Sequence, residues 1–181
     1  MNTTMHKLVV AMGTVVMAGG AWAADNATAS ASADVLTPIS IAKNTDMAFG
    51  SLVIGNGLVT LSTAGARTKA GTTALPTSGT SPAAAKFTVT GTGANTFSID
   101  TTGSDSTLTD GSSNTMAITW LVEAQSGTTA ASGITSAGNN STTGTLASGT
   151  ATIYGGGLLT VGAAQVAGAY TGNLKITVAY N

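Results

Sequence analysis

The chain has 181 residues, a formal net charge of −1 at pH 7, no cysteine and one histidine. These numbers exclude disulfide scaffolds, thiol chemistry and the dense cationic footprint that a nucleic-acid backbone requires. Only 7% of residues are charged, so solubility rests on Ser and Thr hydroxyls, a surface suited to close contact with copies of itself.

The first stretch, "MNTTMHKLVVAMGTVVMAGGAWAAD", carries Lys7, an apolar run from Leu8 to about Gly20 and a small-x-small step at Ala21, Trp22 and Ala23. This predicts a secretory signal peptide over residues 1–23, because the run is shorter than the ~20 apolar residues that span a bilayer. Export is therefore expected, with no integral membrane segment after cleavage and no cysteine for lipid attachment. The one histidine, His6, falls inside this signal. The exported chain thus cannot build Ser/His or Cys/His nucleophile pairs or the usual zinc sites. No catalytic residue, metal ligand set or cofactor is expected, and the protein is read as a non-enzyme.

Residues 24–35 form the next block. Within "NATASASADV", Ala27, Ala29, Ala31, Ala33 and Val35 alternate with Thr28, Ser30, Ser32 and Asp34. The period of two is that of a strand, and nine such residues extend about 30 Å. A flexible Ser/Ala linker has the same composition. Pro38 marks an edge or break before the domain proper, residues 36–181.

From there the pattern is all-β, with period-two runs punctuated by Gly, Ser, Asn and Asp. Strands are predicted at 36–43, 47–54, 57–63, 85–91, 95–101, 115–123, 149–162 (broken by its glycines) and 172–181. Several short strands in one domain of this length predict a sandwich of two sheets. Phe87 and Val89 should share a buried face opposite Lys86, Thr88 and Thr90, as should Phe97 and Ile99 opposite Ser98 and Asp100, while "MAITWLV" places Trp120 in the core. The Gly/Ser/Thr-rich stretches around 101–114 and 125–145 read as loops. Asp100, Asp105 and Asp110 sit in such a stretch, but their spacing does not match a calcium loop, so they read as solvated turns.

The chain ends in "GAYTGNLKITVAYN", where Leu174, Ile176, Val178 and Tyr180 alternate with Lys175, Thr177, Ala179 and Asn181. The penultimate Tyr, the alternation before it and Gly168, fourteenth from the end, resemble the carboxy-terminal signature of chaperone–usher pilins. The wider pattern, "PISI" then "FG" in the first third and "AGAYTGNLKITVAYN" last, is similar to a group of Cys-free exported bacterial domains of unknown function akin to spore-coat-U-like and archaic pilin domains. The resemblance implies an immunoglobulin-like β-sandwich lacking one strand in the monomer. The resulting groove, lined by the strand carrying Gly168, Leu174, Ile176, Val178 and Tyr180, would be filled first by a periplasmic chaperone. A neighbouring subunit's extension, here Ala27, Ala29, Ala31, Ala33 and Val35, would then replace it at an outer-membrane usher, giving a head-to-tail homopolymer. The expectation is a structural subunit of a cell-surface fibre, in the periplasm only in transit. The alternative is a monomeric secreted binding module for a glycan or matrix protein. An outer-membrane barrel fits least, since the aromatics are too few for two girdles.

Overall fold

In the computed structural model, residues 25–127, 133 and 142–181 are described; the predicted signal peptide and most of the 125–145 loop lie outside them. The chain divides into two compact units, the second being Val35–Asn181. Of the first, residues 25–34 are solvent-exposed and form no strand. Every strand belongs to the second unit, no helix occurs among the described residues, and the expected all-β sandwich is what the chain forms.

Ten strands build it: β1 (Ser40–Thr45), β2 (Gly57–Leu61), β3 (Arg67–Gly71), β4 (Ala85–Thr90), β5 (Thr96–Asp100), β6 (Thr107–Thr109), β7 (Thr115–Ser126), β8 (Thr143–Thr145), β9 (Thr150–Val161) and β10 (Thr177–Tyr180). All pairings are antiparallel. The larger sheet is organised by β9. One edge of β9 pairs with β7, which carries β6. Its other edge pairs first with β4, carrying β1, and then with β2, carrying β3. The second sheet runs β10-β5-β8.

Period-two burial explains why the sheets stack. In β4, Ala85, Phe87 and Val89 are buried while Lys86 and Thr90 are exposed, and in β5 Phe97 and Ile99 are buried between exposed Thr96 and Asp100. These residues meet Val122, Leu146 and Ile153 in one core cluster. A second cluster gathers Phe49, Val59, Leu61, Met116, Ile118 and Leu159. Burial of each such side chain is worth roughly 1.5–3 kcal/mol, so the first cluster, which draws on both sheets, holds the layers together without disulfides while the second packs the larger sheet.

Several strands depart from the sequence reading. The glycines of β9 do not break it. Gly155 faces the end of β4 and Gly157 the end of β2, and a Cβ on Gly156 would lie 2.3 Å from the Leu61 carbonyl oxygen. Two strands can meet end to end on one edge only because no side chain stands between them. Residues 47–54 form only the isolated bridges Ala48–Ala83 and Val53–Ala74, because Gly50 turns the backbone at φ 76° and the Arg67 guanidinium captures the carbonyl oxygens of Phe49 and Ser51 at 2.7 and 2.8 Å. The first strand begins later than predicted, at Ser40, and the last is shortened to Thr177–Tyr180. β3, β6 and β8 had no prediction: β3 is polar and almost wholly exposed, and the other two are three-residue pairings inside stretches read as loops. Trp120 is half-buried and packs beside the second cluster, with its indole N–H donating to the Asp105 carbonyl at 2.7 Å.

The glycine junction yields a direct test. Gly156→Ala places a methyl against backbone that cannot rotate away, so it should destabilise by about 2 kcal/mol or more. Gly162→Ala, whose Cβ meets nothing nearer than 3.8 Å, should change stability by less than about 0.5 kcal/mol. Thermal denaturation of both variants checks this, and equal melting temperatures contradict it.

Candidate functional site: a cleft between two unpaired edges

β1 ends the larger sheet and β10 ends the smaller one, and each has a partner on one side only. The two run in opposite directions. Ser40 pairs with Thr90 at the start of β1, and Tyr180 pairs with Phe97 at the end of β10, so the start of β1 and the end of β10 share the end of the sandwich where β4 turns into β5. The sides of the sandwich thus meet along two edges that do not bond to each other.

The inward side chains along both edges are only half-buried. Ile39, Ile41 and Met47 come from the β1 side, and Leu174, Ile176, Val178 and Tyr180 from the β10 side, all packed against the first core cluster. Between them Lys175, Thr177 and Ala179 are exposed. The predicted apolar face of the chain's end is therefore real over its whole length, although only its last four residues form a ladder. Before them, residues 171–175 bond outward instead: Thr171 exchanges backbone bonds with Thr109, the Asn173 carbonyl accepts the Asp105 N–H, and the Asn173 N–H reaches the Asp105 carboxylate at 2.6 Å.

At the shared end the edges are tied by Tyr180. Its hydroxyl accepts the Thr92 N–H at 2.7 Å and donates to the Thr37 carbonyl at 3.1 Å. The Thr37 N–H donates to the Thr92 hydroxyl at 2.8 Å. Gly91 makes room for this clamp, since a Cβ there would lie 2.3 Å from the Tyr180 oxygen. Away from the clamp the edges part into a cleft of about 750 Å³. One wall is drawn from residues 43–54, the other from residues 165–174, and Phe49, Leu108, Met116, Trp120 and Leu159 contribute its apolar floor.

The remaining predicted residues are placed as follows. Gly168 lines the cleft in an exposed bend outside any strand, with no positive φ and with only ordinary contacts around its Cβ position, so the backbone makes no demand for glycine there. Ala27, Ala29, Ala31 and Ala33 are exposed and outside any strand, and Val35 is 94% exposed. Sequence reasoning missed the first wall, although Ile39 and Ile41 alternate in "PISIAK", and it missed Tyr170, whose hydroxyl joins Gln165 at 2.6 Å and the Val166 carbonyl at 2.9 Å. No cluster of three metal-ligating side chains occurs among the described residues. The three aspartates have other tasks: Asp105 holds Asn173, while Asp100 and Asp110 close turns. The Thr102 hydroxyl and N–H hold the Asp100 carboxyl below its usual range, and the Asn114 amide and Ser112 N–H do the same for Asp110.

The family model "Domain of unknown function (DUF4402)" matches residues 39–180, from the first apolar residue of one edge to the clamp tyrosine of the other. No curated protein and no solved structure matches the chain.

Two measurements probe this geometry. Tyr180→Phe keeps the ring and removes both hydroxyl bonds, so it should cost about 1 kcal/mol, or roughly 2–4 °C in melting temperature; an unchanged melt means the clamp contributes nothing. Because folding lowers the pKa of Asp110, its turn stabilises the protein fully above the usual aspartate value of 3.8 and loses that contribution as pH falls through the lower folded value. Asp110→Asn should therefore flatten the dependence of stability on pH below 3.8, and an identical acid profile contradicts the assignment.

Proposed function

The chain belongs to the DUF4402 family, and from its two facing unpaired edges we propose that it is a structural subunit of an extracellular fibre assembled by donation of a strand between copies. The observation that carries this reading is the apolar-floored cleft into which the β1 and β10 edges part, bordered by the half-buried Met47 and Leu174. An edge of this kind in an exported protein invites pairing with another chain, and natural sheets ordinarily blunt such edges with charge. Here the inward positions are Ile, Met, Leu, Val and Tyr, with a single charge, Lys43, at the far end of β1.

The donated strand is the leader, residues 26–35, whose alternation presents Ala27, Ala29, Ala31, Ala33 and Val35 on one face. Alanine faces bury little area, so backbone hydrogen bonds supply much of the association, as in other strand additions to open sheets. Each contributes about 0.5–1.5 kcal/mol net, and the sum must exceed the cost of ordering the leader. Donation to the next copy in a repeated sense is heterologous and does not close, which produces filaments rather than rings. The exposed apolar edge of an unassembled subunit calls for a chaperone during export, followed by delivery through an usher to the cell surface. Catalysis has no part in this function.

The test compares the exported chain with a variant lacking residues 25–34. The full chain should form concentration-dependent oligomers and the truncated chain should stay monomeric. A synthetic peptide of residues 25–36 should then raise the truncated protein's melting temperature, since a ligand at 100 times its Kd stabilises by about 2.7 kcal/mol. Polymerisation that survives truncation, or a melt indifferent to the peptide, sinks the proposal, and a full chain that stays monomeric at every concentration makes a monomeric binding module the better reading.

A further inference from the structure

Two features of the cleft restrict where a donated strand can lie. β1 and β10 already approach within 8 Å between Cα atoms, whereas a strand seated between two others needs about 9.5 Å, twice the ordinary spacing. The β1–β10 seam is therefore shut to an inserted strand where the two approach, and the Tyr180 clamp ties its end. The cleft is open only beyond the seam, between residues 43–54 and 165–174.

The backbone of these walls is prepared for pairing. Thr171 and Asn173 spend their peptide groups on Thr109 and Asp105, outside the cleft, while those of Gly172 and Leu174 have no partner among the described residues. On the other wall the Ser51 and Val53 N–H groups bond away to Thr80 and Ala74, while the peptide groups of Leu52 and Ile54 have no partner among the described residues. Alternate residues are thus free on both walls, as on the open edge of a sheet.

A third observation concerns the ends. The exposed large apolar residues of the described chain are Val35, Leu36, Val53, Ile54 and Val166. They form two groups: the root of the leader, and the wall ends farthest from Tyr180. With the other end of the cleft closed by the seam, a leader still joined to its own domain can leave only past Val53, Ile54 and Val166.

We propose, resting on the strand-donation reading above, that the leader of a second copy occupies only the open part of the cleft, between residues 43–54 and 165–174. The β1–β10 seam stays shut. Val35 and Leu36 of the donor seat against Val53, Ile54 and Val166 at the mouth, so each junction consists of a strand addition and an end-to-end apolar contact. The small alanine face suits this placement, because Phe49, Met116 and Trp120 already occupy the floor.

Cysteine pairs test it in a chain that has none of its own. In assembled material, Val35→Cys with Val166→Cys should oxidise to a covalent ladder on a denaturing gel. Ala27→Cys with Val166→Cys, and Val35→Cys with Ala179→Cys, should remain monomeric. A ladder from either of the latter pairs, or none from the first while filaments still form, overturns the placement but leaves strand donation standing. Assembly unaffected by loss of the leader defeats the underlying reading instead. Independently, Val166→Asp, at a half-exposed position, should leave the monomer's melting temperature unchanged and raise the concentration for half-assembly about tenfold, the equivalent of ~1.4 kcal/mol; an unaltered assembly curve removes the apolar contact.

Discussion

The three consecutive glycines of β9 govern the arrangement of the larger sheet, because β4 and β2 share one edge of that strand and meet where the glycines lie. A side chain at Gly156 would collide with backbone, and one at Gly155 or Gly157 would crowd packed side chains. Gly155 also matters on the inward side, where a Cβ would come within 2.6 Å of the Leu174 side chain. Leu174 packs down because nothing stands beneath it, and its seat sets the depth at which the 165–174 wall crosses the core. The position of the cleft therefore follows from the absence of three side chains as much as from the presence of apolar ones.

The molecule treats its edges unequally. β3 is an edge strand, and its sequence RTKAG carries Arg67 and Lys69 with nearly every residue exposed; charge of this kind discourages pairing with other chains. β6 and β8 are only three residues long, too short to serve as templates. β10 has no charge along its inward face, and β1 has only Lys43, opposite Phe87 at its far end. The one nearby ion pair, Lys43 with Asp46 at 2.5 Å, lies on exposed surface past the last inward isoleucine and contributes little. Unequal protection is what is expected when only one edge is meant to find a partner.

Low charge and hydroxyl-rich surfaces have a related consequence. With so few ions, neighbouring copies meet little long-range repulsion, and short Ser and Thr side chains let backbones approach closely. Polar pairs such as Ser40 with Thr90 and Thr88 with Asn44 already tie strands across the outer face of the sheet. The fold thus dispenses with disulfides by combining two apolar clusters with dense backbone pairing, and it leaves local hydrogen bonds of Asp100 and Asp110 to shape the turns.

By itself the sequence determined the fold class, the buried faces of β4 and β5 and the apolar row from Leu174 to Tyr180, because period-two alternation is a local property that survives whatever the strand pairs with. The alternation of the leader is likewise a property of the sequence alone. Which strands pair was not legible, since the continuity of β9 depends on two partners brought from residues 57–61 and 85–90. Nor was the bend at 47–54, made by Gly50 together with an arginine seventeen residues further on, or the shortening of the last strand, whose earlier residues are claimed by Asp105 and Ser104. Only the tertiary structure decided that β1 and β10 lie side by side without bonding and that a cleft opens beyond them. That outcome is a balance of packing between distant segments, which no local pattern encodes.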